Sequence, residues 1–331
     1  MAPILLPPNY PPRRFYSGGA MIGAFRQTNT PVASYEPEDW VASTTCCRGQ
    51  GNIGLTRLPN GTLLVDAVNS EPEKWLGPDH VAKYGPDTKL LVKLLDPGQR
   101  LPVHAHPHVD WASRHLQRKH GKAEAWYILM PGSVWLGLIE DIDPKELLQI
   151  VQEKRGVELL DRMHKIDVEP HQTVYVPPGV LHAINYSVLL VEVQEPEDMS
   201  ILCEWDGYKI DGSKDGHLGL GFETALTAVE TRGRTREEVM ALVTDAKVAE
   251  SVFAEESQSY FHLERVVVNG QSRCRRGFAI LVVLMGLVRL KTESSELSIL
   301  KKGSTVVIPY EDGEFILESE NANVVIARPP Q

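Results

Sequence analysis

His104 and His106 are one residue apart and are entered from the apolar run Leu91 to Leu95, so in an extended chain both imidazoles point to the same face. Pro107 follows at once and limits continuation as a paired central strand, which suits the rim of a barrel. His108 shares that face only if the extension continues. Glu124 sits just before the apolar run Ala125 to Leu129, and His182 follows the turn Pro177-Pro178-Gly179. Three imidazoles and one carboxylate are a donor set that zinc accepts, with room for water or substrate to complete the coordination. Iron, manganese or cobalt could fill the same set. A His-x-His pair alone is more often a satisfied core or surface pair, and a single Glu is normally solvated. The joint placement on neighbouring strands and after a Pro-Gly turn is what points to a metal.

These residues need a β scaffold, and the chain supplies one. Short segments rich in Val, Ile, Leu and Tyr recur between Pro, Gly and Asp, with clear strands at Leu90 to Leu95, Ala125 to Leu129, Val134 to Ile139, Thr173 to Val176 and Val188 to Val193. Helical periodicity is confined chiefly to Pro144 to Gln152, after an Asp143 N-cap, and Thr235 to Ala249. The segment Thr173-Val174-Tyr175-Val176-Pro177 is echoed by Thr305-Val306-Val307-Ile308-Pro309, which predicts two related β-barrels. Counted from the shared proline, His182 corresponds to Glu314. Aligning Leu129-Met130 with Leu284-Met285 puts Ala279 where Glu124 stands. The second copy therefore lacks the metal-type residues, and chemistry belongs to the first. The expected organisation is a metal-binding barrel with N-terminal strands and a helical insertion over 1–230, a helical linker over 231–254, and a degenerate barrel over 255–331.

Composition narrows the function. With 331 residues, 42% of them hydrophobic and 24% charged, the chain has the make-up of a soluble globular protein with a sizeable core. A net charge of −10 disfavours nucleic acid and anionic membrane surfaces as general partners. The longest apolar run, Phe278 to Val288, is far shorter than the ~20 residues of a membrane-spanning helix and reads as a buried strand. The N-terminal residues lack the basic start and long apolar stretch of a secretory signal, so the cytoplasm is the expected compartment. Cysteines 46, 47, 203 and 274 show no Cys-x-x-Cys spacing and are expected as small buried apolar groups.

The ligand order His, His, Glu, His is that of cupins, and longer stretches carry a more specific likeness. Leu91-Val92-Lys93-Leu94-Leu95-Asp96, Val103-His104-Ala105-His106-Pro107, Gly121-Lys122-Ala123-Glu124-Ala125-Trp126-Tyr127, Val176-Pro177-Pro178-Gly179-Val180-Leu181-His182-Ala183-Ile184 and Leu190-Val191-Glu192-Val193-Gln194 resemble type I mannose-6-phosphate isomerases, from about Pro37 to Val229. Glu38-Asp39-Trp40 followed by Ser43 resembles the family's early Glu-x-Trp segment. The resemblance implies an all-β double cupin with helical insertions, a metal-dependent aldose-ketose isomerase, and a sugar or sugar phosphate as substrate. It makes His106, Glu124 and His182 ligands, with His104 where the family usually has a ligating glutamine. It makes Lys122 and Glu192 the proton handlers, and Lys93 and His217 candidates for holding substrate.

Ten residues after Glu192, where the family carries an arginine, this chain has Leu202, which removes a charge and every donor. Either another basic residue serves the substrate, the substrate is not the usual phosphosugar, or activity has been lost. A sugar-binding or regulatory cupin and an iron cupin dioxygenase are the alternatives to an isomerase. Arg232, Arg234 and Arg236 are expected on a solvated face rather than in a phosphate clamp.

Overall fold

A computed structural model describes residues 1–246, 251–293 and 295–331. Its strands form sheets of seven, six and five strands. The six-stranded sheet runs in the order Val243–Asp245, Gln172–Val176, Glu124–Ile128, Leu190–Gln194, Leu91–Leu95, Glu38–Val41. The five-stranded sheet runs Ile201–Leu202, His104–Ala105, His182–Ile184, Gly132–Leu138, Met163–Val168. Each expected strand lies within two residues of an observed one at both ends. Both faces of the central strands are buried, which is why they read as continuous apolar runs rather than alternating ones.

The second unit repeats the register of the first. Glu124, Ala125 and Trp126 face Val176, Tyr175 and Val174. Ala279, Ile280 and Leu281 face Ile308, Val307 and Val306 in the same way. On the other side, Glu192 faces Trp126 and Ile326 faces Leu281. Ala279 and Ile326 thus occupy the places of Glu124 and Glu192, and with Leu281, Ile308 and Phe315 they belong to a sealed apolar interior. Glu314, the counterpart of His182, is exposed and pairs with Arg273.

Three expectations change in detail. The run Phe278 to Val288 is two strands, Ala279–Met285 and Leu287–Lys291. Gly286 separates them, with φ 82° and so little room that a Cβ there would lie 2.2 Å from the Asn321 carbonyl oxygen. The helix expected over Thr235 to Ala249 is capped as expected, Thr235 and Glu238 forming a capping box, but ends at Met240. Val243–Asp245 then adds to the edge of Gln172–Val176, where the Thr244 and Thr173 hydroxyls meet at 2.6 Å, so sheet pairing wins over helical periodicity. Residues 247–249 of that expected helix lie outside the described residues. Ile4–Leu6 joins the seven-stranded sheet of the second unit, against Thr305 to Val307.

The helix Pro144–Gln152 forms where expected, Asp143 accepting from the Lys145 and Glu146 amides. Cys47, Cys203 and Cys274 are buried, but Cys46 is exposed. Among the described residues no helix is long and apolar enough to cross a membrane.

Candidate metal centre and active site

Facing strands build the centre. His104 lies directly opposite His182, and Leu202 opposite His104, within the five-stranded sheet. Glu124 opens its strand in the six-stranded sheet and reaches across to both His106, 3.0 Å from Oε2 to Nε2, and His182, 3.3 Å from Oε1 to Nε2. One donor atom from each histidine lies within 4.8 Å of the others. All four side chains are buried.

The chemistry of this set decides what it can hold. His104 Nδ1 lies 2.8 Å from the Pro102 carbonyl oxygen, His106 Nδ1 2.7 Å from that of Met199, and His182 Nδ1 2.9 Å from that of Val180. A carbonyl only accepts, so each Nδ1 carries the proton and each Nε2 presents a lone pair. Those lone pairs face a carboxylate, another acceptor, and His182 Nε2 is buried without a hydrogen-bond partner. Acceptors converging with no proton to share require a cation. The Lys122 ammonium supplies part of that charge, 2.6 Å from both Glu124 Oε2 and His106 Nε2. Burial and then the Lys122 charge push the His106 imidazole down to about 3. Burial and the neighbouring His182 hold His104 well below its ordinary value. Burial alone would raise the Glu124 carboxyl, but Lys122 and His106 outweigh it and hold it well below the usual range. Neutral imidazoles beside a carboxylate are the ligating forms, so the residues fit a divalent metal.

Beside the centre a pocket is lined by Lys93, Glu192, Glu38, Arg14, Tyr16 and Asp198 as well as by His104, Lys122 and Glu124. The register aligns Trp40, Lys93, Glu192 and Trp126 across four adjacent strands. Lys93 Nζ forms an ion pair with Glu192 Oε1 at 2.9 Å and lies 3.7 Å from Glu38. Burial, helped by the Glu124 charge and opposed by Lys93, raises the Glu192 carboxyl above its ordinary value. Glu38 goes the other way. It accepts from Arg14 Nε at 2.9 Å, the Tyr16 hydroxyl at 2.5 Å and Trp40 Nε1 at 2.7 Å. Burial opposes its charge, but Arg14 and Lys93 bring it down to about 2.

The structure thus brings together His104, His106, Glu124, His182, Lys122, Glu192 and Lys93. It does not bring His217 to them. That ring braces its own loop, Nδ1 accepting from the Gly221 amide and Nε2 lying 3.1 Å from the Ser213 carbonyl oxygen, and does not line the pocket. His108 also leaves the site, because Pro107 ends the extension and His108 becomes the N-cap of the helix Val109–Leu116. Leu202 is buried opposite His104. Arg232 and Arg236 are exposed as expected, but Arg234 is largely buried; Arg232 pairs with Glu238 and Arg234 with Glu230.

Arg14, Tyr16 and Asp198 are pocket residues that the motifs do not include, and Glu38, part of the Glu-x-Trp likeness, takes a place in the pocket that the likeness did not assign. Asp96 places the first two, accepting from the amides of Gly19 and Met21 and so tying the N-terminal segment across the pocket. Gly18 allows it, since a Cβ there would lie 1.9 Å from the Asp96 carbonyl oxygen. The Gly18-Gly19 pair after Arg14 and Tyr16 was the available signal.

No family model matches the chain. Mannose-6-phosphate isomerase ManA of Bacillus subtilis is 27% identical over 237 residues, covering 69% of this chain and 71% of that protein. The mannose-6-phosphate isomerase of Streptococcus mutans is 26% identical over 66% of this chain and 68% of its own. Among solved structures, mannose 6-phosphate isomerase from Bacillus subtilis superposes with a TM-score of 0.75 at 21% identity, covering 99% of this chain and 100% of that one. The apo form of the Salmonella typhimurium enzyme gives 0.75 at 13% identity, with both chains fully covered. These superpositions carry the fold.

Proposed function

We propose that this chain, which belongs to the mannose-6-phosphate isomerase family, uses one divalent metal, zinc, to interconvert an aldose phosphate such as mannose 6-phosphate and the corresponding ketose. The observation that carries this reading is the convergence of three Nε2 lone pairs and the Glu124 carboxylate beside a second buried carboxylate, Glu192, of opposite pKa behaviour. Two carboxylates pushed apart by their surroundings divide the labour: one stays charged and ligates, the other exchanges a proton.

His104, His106, Glu124 and His182 would hold the metal, which supplies Lewis-acid polarisation of the sugar oxygens when bound. Glu192 is the group that moves the proton. It takes one from the carbon bearing the hydroxyl and returns it to the adjacent former carbonyl carbon, while the oxygens exchange theirs. Lys93 holds Glu192 in place, and Lys122 presents an ammonium to the oxygen on which negative charge develops. Trp40 and Trp126, both fully buried, flank the Lys93–Glu192 pair on the neighbouring strands. Four cysteines free of disulfides suit the reducing cytoplasm as the working compartment.

The test is an isomerase assay on metal-replete protein with phosphorylated and free aldoses, paired with metal analysis. Turnover of mannose 6-phosphate that falls with chelation and returns with zinc is the expected result. Binding of sugars without turnover would instead select the non-catalytic reading that Leu202 raises.

A further inference from the structure

A cleft adjoins the pocket, the two sharing Asp198. Four loop segments line it, around Thr44 to Gly49, Pro86 to Thr88, Arg118 to His120 and Pro196 to Asp198, together with Val65, Val68 and Asn69 of the helix Leu64–Ser70, around a space of about 420 Å³. Each loop segment adjoins a strand that carries a pocket residue: Glu38–Val41, Leu91–Leu95, Glu124–Ile128 and Leu190–Gln194. The antiparallel register brings all four junctions to the end of the sheet where Gln194 faces both Glu124 and Leu91. The cleft therefore opens at the same end as the metal donor Glu124. Asp198 belongs to both spaces, meeting the Arg14 guanidinium at 3.3 Å and the Arg48 amide at 3.1 Å.

Its uncommitted charge is mainly positive, Arg48, Arg118 and Lys119 standing against the single carboxylate of Glu197. Arg118 makes no side-chain hydrogen bond or ion pair among the described residues, and Arg48 gives one guanidinium nitrogen to the Leu218 carbonyl at 2.9 Å. Burial, and then the Arg118 charge, pull the Arg48 guanidinium below its ordinary value, so the two cations lean on each other. Of the acids of the wall, Glu197 alone makes no side-chain hydrogen bond or ion pair among the described residues, and it acts on both arginines. Asp87 pairs with His120 at 2.6 Å, Asp198 pairs with Arg14, and burial raises the Glu197 carboxyl above its ordinary value. A compact dianion would relieve that repulsion, with two guanidiniums matching its oxygens.

We propose that Arg48 and Arg118 bind the phosphoryl group of the substrate in this cleft, supplying positive charge that the buried, apolar Leu202 cannot. The assignment rests on the sugar-phosphate isomerase reading for its substrate. The variants are mild: Arg48→Met keeps the backbone amide bonded to Asp198, and Arg118→Met removes no side-chain hydrogen bond or ion pair among the described residues.

Steady-state kinetics with mannose 6-phosphate and calorimetry with inorganic phosphate, both on zinc-loaded protein, form the test. Each variant is expected to raise KM by about tenfold. Preference for mannose 6-phosphate over mannose should fall with it, and inorganic phosphate should lose its binding. Variants with KM for mannose 6-phosphate within twofold of the unaltered protein, or with equal losses for both sugars, would overturn the assignment. If the unaltered protein converts no hexose phosphate, the isomerase reading fails by itself. Phosphate calorimetry then still decides the cleft: binding lost in both variants supports it, and binding absent from the unaltered protein, or retained in the variants, overturns it.

Discussion

Glu192 and Glu38 flank the same lysine, yet their surroundings drive them in opposite directions. Replacing Glu192 by Gln preserves shape and removes the proton acceptor, so kcat should fall by a factor on the order of 10³ while bound zinc stays at one per chain. Equal activity in that variant would remove Glu192 from the mechanism. Glu38 has a folded pKa of about 2 against an ordinary 4.5, so its charge stabilises the fold above pH 4.5. That contribution, roughly 3 kcal/mol, is lost as pH falls from about 4.5 to 2. Glu38→Gln should lower the urea midpoint at pH 7 and flatten the loss of stability across that window. An unchanged acid limb would show that Glu38 is not held as described. The convergence of His104, His106, Glu124 and His182 was legible from sequence because few residue types ligate and a period of two puts alternate residues on one face. What orients the imidazoles was not legible, because the acceptors belong to the backbone of Pro102, Met199 and Val180, where side-chain identity leaves no mark.

Whether an element carries chemistry or only packing depends on what occupies equivalent places in matched strands. The five-residue echo at Thr173 and Thr305 was readable, and the matched registers explain why: both strands end at a proline and face the same kind of partner. The short helix Arg236–Met240 was overread because its edge-strand continuation has no apolar alternation, and pairing depends on a neighbour distant in sequence. Ala279→Glu would restore a carboxylate at the Glu124 position of the second unit without any histidine to face it. Leu281, Ile308 and Ile326 leave that carboxylate unpartnered, so the variant should lose about 4 kcal/mol by urea unfolding and gain no metal. A second equivalent of bound zinc would contradict the account of that interior as closed.

At the scale of the whole molecule the two units cannot be separated cleanly. Ile280, Val282, Val325 and Phe261 share one core cluster with Val174, Val191 and Val193, and Arg26 bonds both Asp39 and Thr305. Thermal unfolding should therefore be one transition. Metal bound only by the native state adds about 2.7 kcal/mol at a hundredfold excess over its Kd. Chelation should accordingly lower the Tm by roughly 5 °C, moving the single transition as a whole. Two transitions, with only one of them responding to the chelator, would show the units to be energetically independent.

The pairing of Ile4–Leu6 with a strand some three hundred residues further along has a bearing on how the polypeptide is made. During synthesis those residues emerge long before Thr305–Ile308 exists, so they travel without a docking strand while the intervening barrel assembles. The last sheet closes only when the two ends meet, which makes that late join a slow, long-range loop closure. An amino-terminal fusion that hinders this segment would therefore harm the distant unit rather than the one it appears to precede.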